Sequence, residues 1–220
     1  FVAVEIPVMS LEKTVFGAHA NQTDINLHLA RDSLLAPTIK QQGGLRVPGA
    51  FEGCELILRA ILGQQVSVKG STTLAGRMAQ TFGDPVSTPW PALSYTSPSC
   101  DWIADAPVDR IQKIGMPGKR AETIRLVAKA VANGEIILAP GSDPEVVREQ
   151  LIAIPGIGEW TASYVAMRAL AWPDALPVGD LGIKKALGLT RAADILERTE
   201  AWRPWRAYAA IYLWLSLSGG

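Results

Sequence analysis

At 220 residues and 48% apolar side chains, the chain is long enough to bury one large core or two small ones. Lys plus Arg equal Asp plus Glu at 21 each, so no overall positive field draws a polyanion, and any contact with nucleic acid has to come from a local arrangement. Two cysteines, Cys54 and Cys100, have no further Cys or His at ligand spacing, which excludes a four-cysteine iron–sulfur cluster and argues against zinc.

The two cysteines are expected as buried thiols in a reducing compartment. The most apolar stretch, Tyr208 to Leu217, has about half the length that spans a bilayer, and Phe1 to Val8 lacks the basic start and cleavage site of a signal peptide. The chain is therefore expected to be soluble and cytoplasmic, with no membrane partner.

Residues 1–45 form a small N-terminal portion of their own. Phe1 to Val8 and Ile25 to Leu29 alternate in the manner of half-buried strands, so a small antiparallel β portion is expected. It begins mid-pattern and is too short to stand alone, so it is expected to be incomplete.

From Phe51 the period becomes helical, punctuated by Pro-Gly and Asn-Gly pairs. Helices are predicted at 51–62, 66–82, 107–113, 117–133, 144–153, 159–171, 180–187, 191–199 and 203–217. Residues 83–104, rich in Pro, Ser and Thr, read as an irregular surface connection.

The most informative segment is Leu151 to Ala162, where Pro155-Gly156-Ile157-Gly158 separates two helical patterns. This is a helix–hairpin–helix, spanning about 144–171. Glycines at 156 and 158 permit positive φ and close approach of backbone amides, and the second helix aims its N-terminal N–H groups the same way, at Thr161 among others. Such a corner binds a phosphate through main-chain donors and the helix dipole, so it needs little net positive charge.

Trp160 and Tyr164 lie four apart on the second helix, either as core residues or as the wall of a pocket for an extruded base. Asp180 precedes an apolar-periodic segment and reads as a helix N-cap. Cap amides favour a charged carboxylate, which could stabilise a developing positive charge at a sugar C1′; a purely structural cap is the other reading.

Together with Leu151 to Ala162 and Asp180, three further runs carry a resemblance: Gly44 to Gly49, Arg59 to Val68, and Trp202 to Tyr208 running on to Trp214. Gly115-Met116-Pro117 with Lys119 to Glu122 adds to them. Over roughly residues 45–217 the chain resembles the helix–hairpin–helix DNA glycosylases, and within them the AlkA-type alkylbase glycosylases. The resemblance implies a mainly α fold over 46–220, with the active site in a cleft between helical subdomains.

It also implies roles by position. Asp180 matches the catalytic aspartate, Trp160, Tyr164, Trp214, Gln64 and Val68 match base-pocket residues, and Gln65 falls at the wedge that enters the duplex, where related enzymes can carry Leu. The main-chain carbonyls of Ile152, Ile154 and Ile157 match a monovalent cation site, and no cofactor is otherwise required. Trp160 occupies the place of the lysine used by members that also cut the backbone, so a monofunctional enzyme leaving an abasic site is implied.

The expected partner is double-stranded DNA carrying alkylated bases such as 3-methyladenine or 7-methylguanine, bound by a monomer, with localisation at a bacterial nucleoid or in a eukaryotic nucleus. Two other readings stand beside it: a non-catalytic damaged-DNA-binding module, and a glycosylase for deaminated or mismatched bases.

Overall fold

The computed structural model describes residues 21–218. Twelve α-helices occur in order among them: α1 (Gln22–Leu29), α2 (Ala36–Gln41), α3 (Gly53–Leu62), α4 (Val68–Phe82), α5 (Cys100–Ala104), α6 (Val108–Gln112), α7 (Gly118–Ala132), α8 (Pro144–Ile152), α9 (Glu159–Arg168), α10 (Leu181–Leu187), α11 (Ala192–Thr199) and α12 (Arg206–Ser218). The one β pairing among the described residues is an isolated antiparallel bridge between Pro85 and Tyr95. The chain divides into two units, one built from the residues up to Phe51 together with Ala166 onward, the other from Glu52–Val165.

The expected N-terminal β portion needs correcting over 25–29, which lie in α1; the strand expected over 1–8 falls outside the described residues. Ile25 and Leu29 are both fully buried, whereas Leu27 between them is 66% exposed. Period two and a spacing of four share those two outer positions, so a five-residue run does not distinguish them. The helix is favoured by Asn21, whose side chain accepts from the Thr23 N–H at 3.2 Å, with Asp24 in the first turn and His28 in the last.

In this first unit the turn after α1 is tied to the C-terminal half. Asp32 accepts from Arg198 at 2.6 and 2.9 Å and from the Trp202 indole at 2.7 Å. The Arg198 hydrogen bond, working against burial, holds the Asp32 carboxyl down at about 2. Arg206 at the start of α12 grips Asp174 through two hydrogen bonds of 2.8 and 2.7 Å, both residues being buried, so neither charge is left without its counter-ion. Tyr212 and Trp202 fill the core between these polar ties.

The second unit is organised around α7, whose Ala121, Ile124, Val127 and Ala128 are fully buried and against which α3, α5 and α6 pack. Cys54 in the first turn of α3 and Cys100 at the start of α5 form a disulfide, with Cα atoms 5.8 Å apart. The expectation of two thiols is thereby corrected. Both helices pack on α7, which brings together cysteines 46 residues apart in the chain. The stretch 83–104 also contains more order than its composition predicts: α5 begins inside it, capped by the Ser99 hydroxyl, and is too short to show a period.

Among the described residues no helix is long and apolar enough to cross a membrane, and no cluster of three or more His, Cys, Asp or Glu could hold a metal ion.

Candidate functional site

In the second unit α8 starts on Asp143, whose carboxylate caps the Glu145 and Val146 amides, and ends at Ile152. The turn that follows is anchored by Leu151 and Ile157, both buried, and closed by an Ile157 N–H to Ile154 carbonyl bond of 3.1 Å. Across the hairpin, Arg148 of α8 holds both carboxylate oxygens of Glu159, the first residue of α9, at 2.9 and 2.8 Å. The corner is thus set from both flanking helices.

Its two glycines do different things. Gly156 has φ +94°, and a Cβ there would run into the Thr123 hydroxyl. That hydroxyl lies 2.8 Å from the Pro155 carbonyl, to which it donates. Gly158 is not among the residues of positive φ, and a Cβ there would meet nothing within 4 Å. Positive φ, which glycine permits at both positions, occurs at Gly156 alone; the fold itself asks for glycine at 156 and not at 158.

Thr161, whose main-chain N–H is the group expected at a phosphate, turns its side chain inward. The residue is 3% exposed, and its Oγ1 accepts from the Gln64 amide at 3.1 Å. The same Gln64 Nε2 donates to the Gly156 carbonyl at 3.2 Å. Gln64, expected to line a base pocket, braces the hairpin through these two bonds.

Gln64 sits in the short connection between α3 and α4, followed by Gln65, an exposed residue with φ +54°. Arg120, in the first turn of α7, donates to the Gln64 carbonyl at 2.6 Å. Ser67 then caps α4 through the Gly70 N–H at 3.1 Å, and Val68, also expected in the pocket, is 86% exposed at the first position of that helix.

Trp160 and Tyr164 do come together on α9: their rings lie 5.2 Å apart at an interplanar angle of 7°. Both remain partly exposed, so the stacked pair presents aromatic surface instead of vanishing into the core.

In the first unit Asp180 is the N-cap of α10, accepting from the Ile183 N–H at 3.0 Å. The Trp214 indole on α12 donates to the same Oδ1 at 2.8 Å. Trp214 is expected as a pocket wall; its hydrogen bond to Asp180 has no sequence signal, since 34 residues separate the two. Gly182 makes the approach feasible: a Cβ there would stand 2.9 Å from Trp214 Cδ1 and 3.1 Å from Asp180 Oδ1. Leu181, read as part of an apolar period, is instead 81% exposed beside the carboxylate.

The model of the HhH-GPD superfamily, base excision DNA repair proteins, matches residues 58–205, and the chain belongs to this superfamily. It is 38% identical over 193 residues to a probable bifunctional transcriptional activator/DNA repair enzyme AlkA of Mycobacterium tuberculosis, covering 86% of this chain and 38% of that one. To DNA-3-methyladenine glycosylase 2 of Escherichia coli it is 33% identical over 200 residues, covering 91% and 68% respectively. The crystal structure of a DNA-3-methyladenine glycosidase from Bacillus halodurans matches with a TM-score of 0.71 at 26% identity, over 92% of this chain and 91% of that one. The chain thus spans well under half of the mycobacterial relative's length.

Proposed function

We propose that the chain is a monofunctional DNA glycosylase that flips an alkylated purine out of double-stranded DNA and hydrolyses its N-glycosidic bond. The observation that carries this reading is the Asp180 carboxylate, fixed by the Ile183 N–H and the Trp214 indole N–H. The names of the Escherichia coli relative and of the Bacillus halodurans structure support the substrate class.

As the bond from base to sugar breaks, C1′ gains oxocarbenium character, and an anion already held in place stabilises that charge more than it stabilises the ground state. The same carboxylate orients or deprotonates the attacking water. A 3-methyladenine or 7-methylguanine carries positive charge before cleavage, so it departs as a neutral base without a general acid. Stacking on Trp160 and Tyr164 is worth about 1–3 kcal/mol per base and more for a cationic ring, which favours damaged over undamaged purines.

Trp160 stands where a Schiff-base lysine would be needed for strand cleavage, so the product is an abasic site. Main-chain N–H groups around Gly156, Gly158 and Thr161 hold a phosphate, and Gln65 fills the space vacated by the flipped nucleotide. The protein acts as a monomer, at the chromosome of a bacterial nucleoid or a eukaryotic nucleus.

The carbonyls of Ile152, Ile154 and Ile157 fit a monovalent cation. Ile152 ends a helix, where the last carbonyls lack intrahelical partners, and Ile154 accepts the Ile157 N–H on an oxygen with two lone pairs. Three neutral oxygens suit a weakly charged ion, and bound there it would add positive charge beside a DNA phosphate.

The test is release of free base from methylated duplex DNA, followed by chromatography, for wild type and Asp180→Asn. The variant is expected to keep DNA affinity and lose base release by at least about a hundredfold, the usual size of a lost electrostatic stabiliser. Full activity in the variant overturns the role given to Asp180.

A further inference from the structure

We propose that Arg120 is a positioning residue for the duplex-entering side chain at 65; the inference rests on the reading of Gln65 as the wedge. A non-glycine residue at φ +54° is disfavoured for an L side chain, so something has to hold Gln65 there. On its N-terminal side the turn is held at the peptide plane linking 64 to 65. Its carbonyl receives the Arg120 guanidinium at 2.6 Å, a charge-assisted hydrogen bond.

The residue that carries this carbonyl is gripped a second time. The Gln64 side chain donates to the Gly156 carbonyl at 3.2 Å and to Thr161 Oγ1 at 3.1 Å, so the wedge turn and the phosphate corner are fastened to each other as well as to α7. Fixing the 64–65 peptide plane sets the N–Cα bond of residue 65, and the Ser67 cap on the Gly70 N–H at 3.1 Å holds the chain beyond it, so the two ends together restrict φ and the direction in which the Gln65 side chain leaves the backbone. Arg120 therefore acts through Gln65 in opening paired DNA and takes no part in bond cleavage.

The experiment compares base release from methylated duplex with release from the same strand unpaired, where no stack has to be entered. Wild type, Gln65→Ala, Arg120→Gln, Arg120→Lys and the Gln65→Ala/Arg120→Gln double variant are each read as the ratio of duplex to single-strand rate. Gln65→Ala and Arg120→Gln are each expected to lower the ratio about tenfold, the scale of the penalty for a left-handed residue. For Arg120→Gln the single-strand rate is unchanged, which a merely structural role for Arg120 would not give.

The double variant falls no further than Gln65→Ala, as required if one residue acts through the other. Arg120→Lys keeps the charge while losing the planar fork; it lowers the ratio too, and it carries the test if Arg120→Gln does not fold. An unchanged ratio in both Arg120 variants, or losses that multiply in the double variant, overturns the proposal while Gln65 stays the wedge. An unchanged ratio in Gln65→Ala instead overturns the wedge reading itself.

Discussion

Asp180 is held by hydrogen bonds from a backbone amide and an indole, and the residue that decides whether the indole can reach it is neither of those donors. Gly182 lies in the first turn of α10, where an alanine would ordinarily raise helix stability by up to about 1 kcal/mol. Here its Cβ would press on the Trp214 ring and on Asp180 Oδ1 together. Gly182→Ala is therefore expected to leave the melting temperature nearly unchanged and to lower base release by about ten- to hundredfold, the effect of a small misplacement of a reacting group. Steady-state kinetics and thermal melts on the same preparation check it; full activity in this variant would show that the indole contact is dispensable. Asp180 was legible in the sequence because caps and family motifs are local, whereas the roles of Trp214 and Gly182 arise only when α10 packs on α12.

At the level of the element, the helix–hairpin–helix was readable from Leu151 to Ala162 almost residue by residue, because the end of α8, the turn and the start of α9 fall within a dozen positions. What the run does not disclose is the brace behind it, Thr123 on Pro155 and Gln64 on Gly156, contributed by segments distant in the chain. The two glycines consequently separate by experiment. Gly156→Ala places a side chain at φ +94° against Thr123, and a loss of more than about 1–2 kcal/mol of stability is expected in denaturant titrations. Gly158→Ala meets open space, so stability should hold within about 0.5 kcal/mol. If a phosphate comes close to that backbone, the same variant weakens duplex binding, by about tenfold for each 1.4 kcal/mol of binding free energy removed, as measured by fluorescence anisotropy. Wild-type affinity in Gly158→Ala would remove the phosphate from that position.

Across the whole molecule, the sequence was most transparent where helices are long and amphipathic, and the predicted helices from 51 to the C-terminus match α3, α4 and α6 to α12 to within a few residues. It was opaque where signals are short. A five-residue alternation concealed α1, five helical residues concealed α5, and the pairing of Cys54 with Cys100 depended on two helices sharing a third as their floor. That last feature reaches beyond architecture. The crosslink closes a 46-residue loop, and restoring the loop's freedom in the unfolded chain corresponds to about 4 kcal/mol on a chain-entropy account. A phosphine reductant, or the Cys54→Ser/Cys100→Ser variant, is expected to lower the melting temperature by about 10 °C. Calorimetry with and without reductant decides the matter, and coincident curves would make the bond ornamental. A lowered melting temperature on reduction instead ties endurance to the surrounding thiol poise, with the protein at its hardiest under the oxidising assault that most damages a genome.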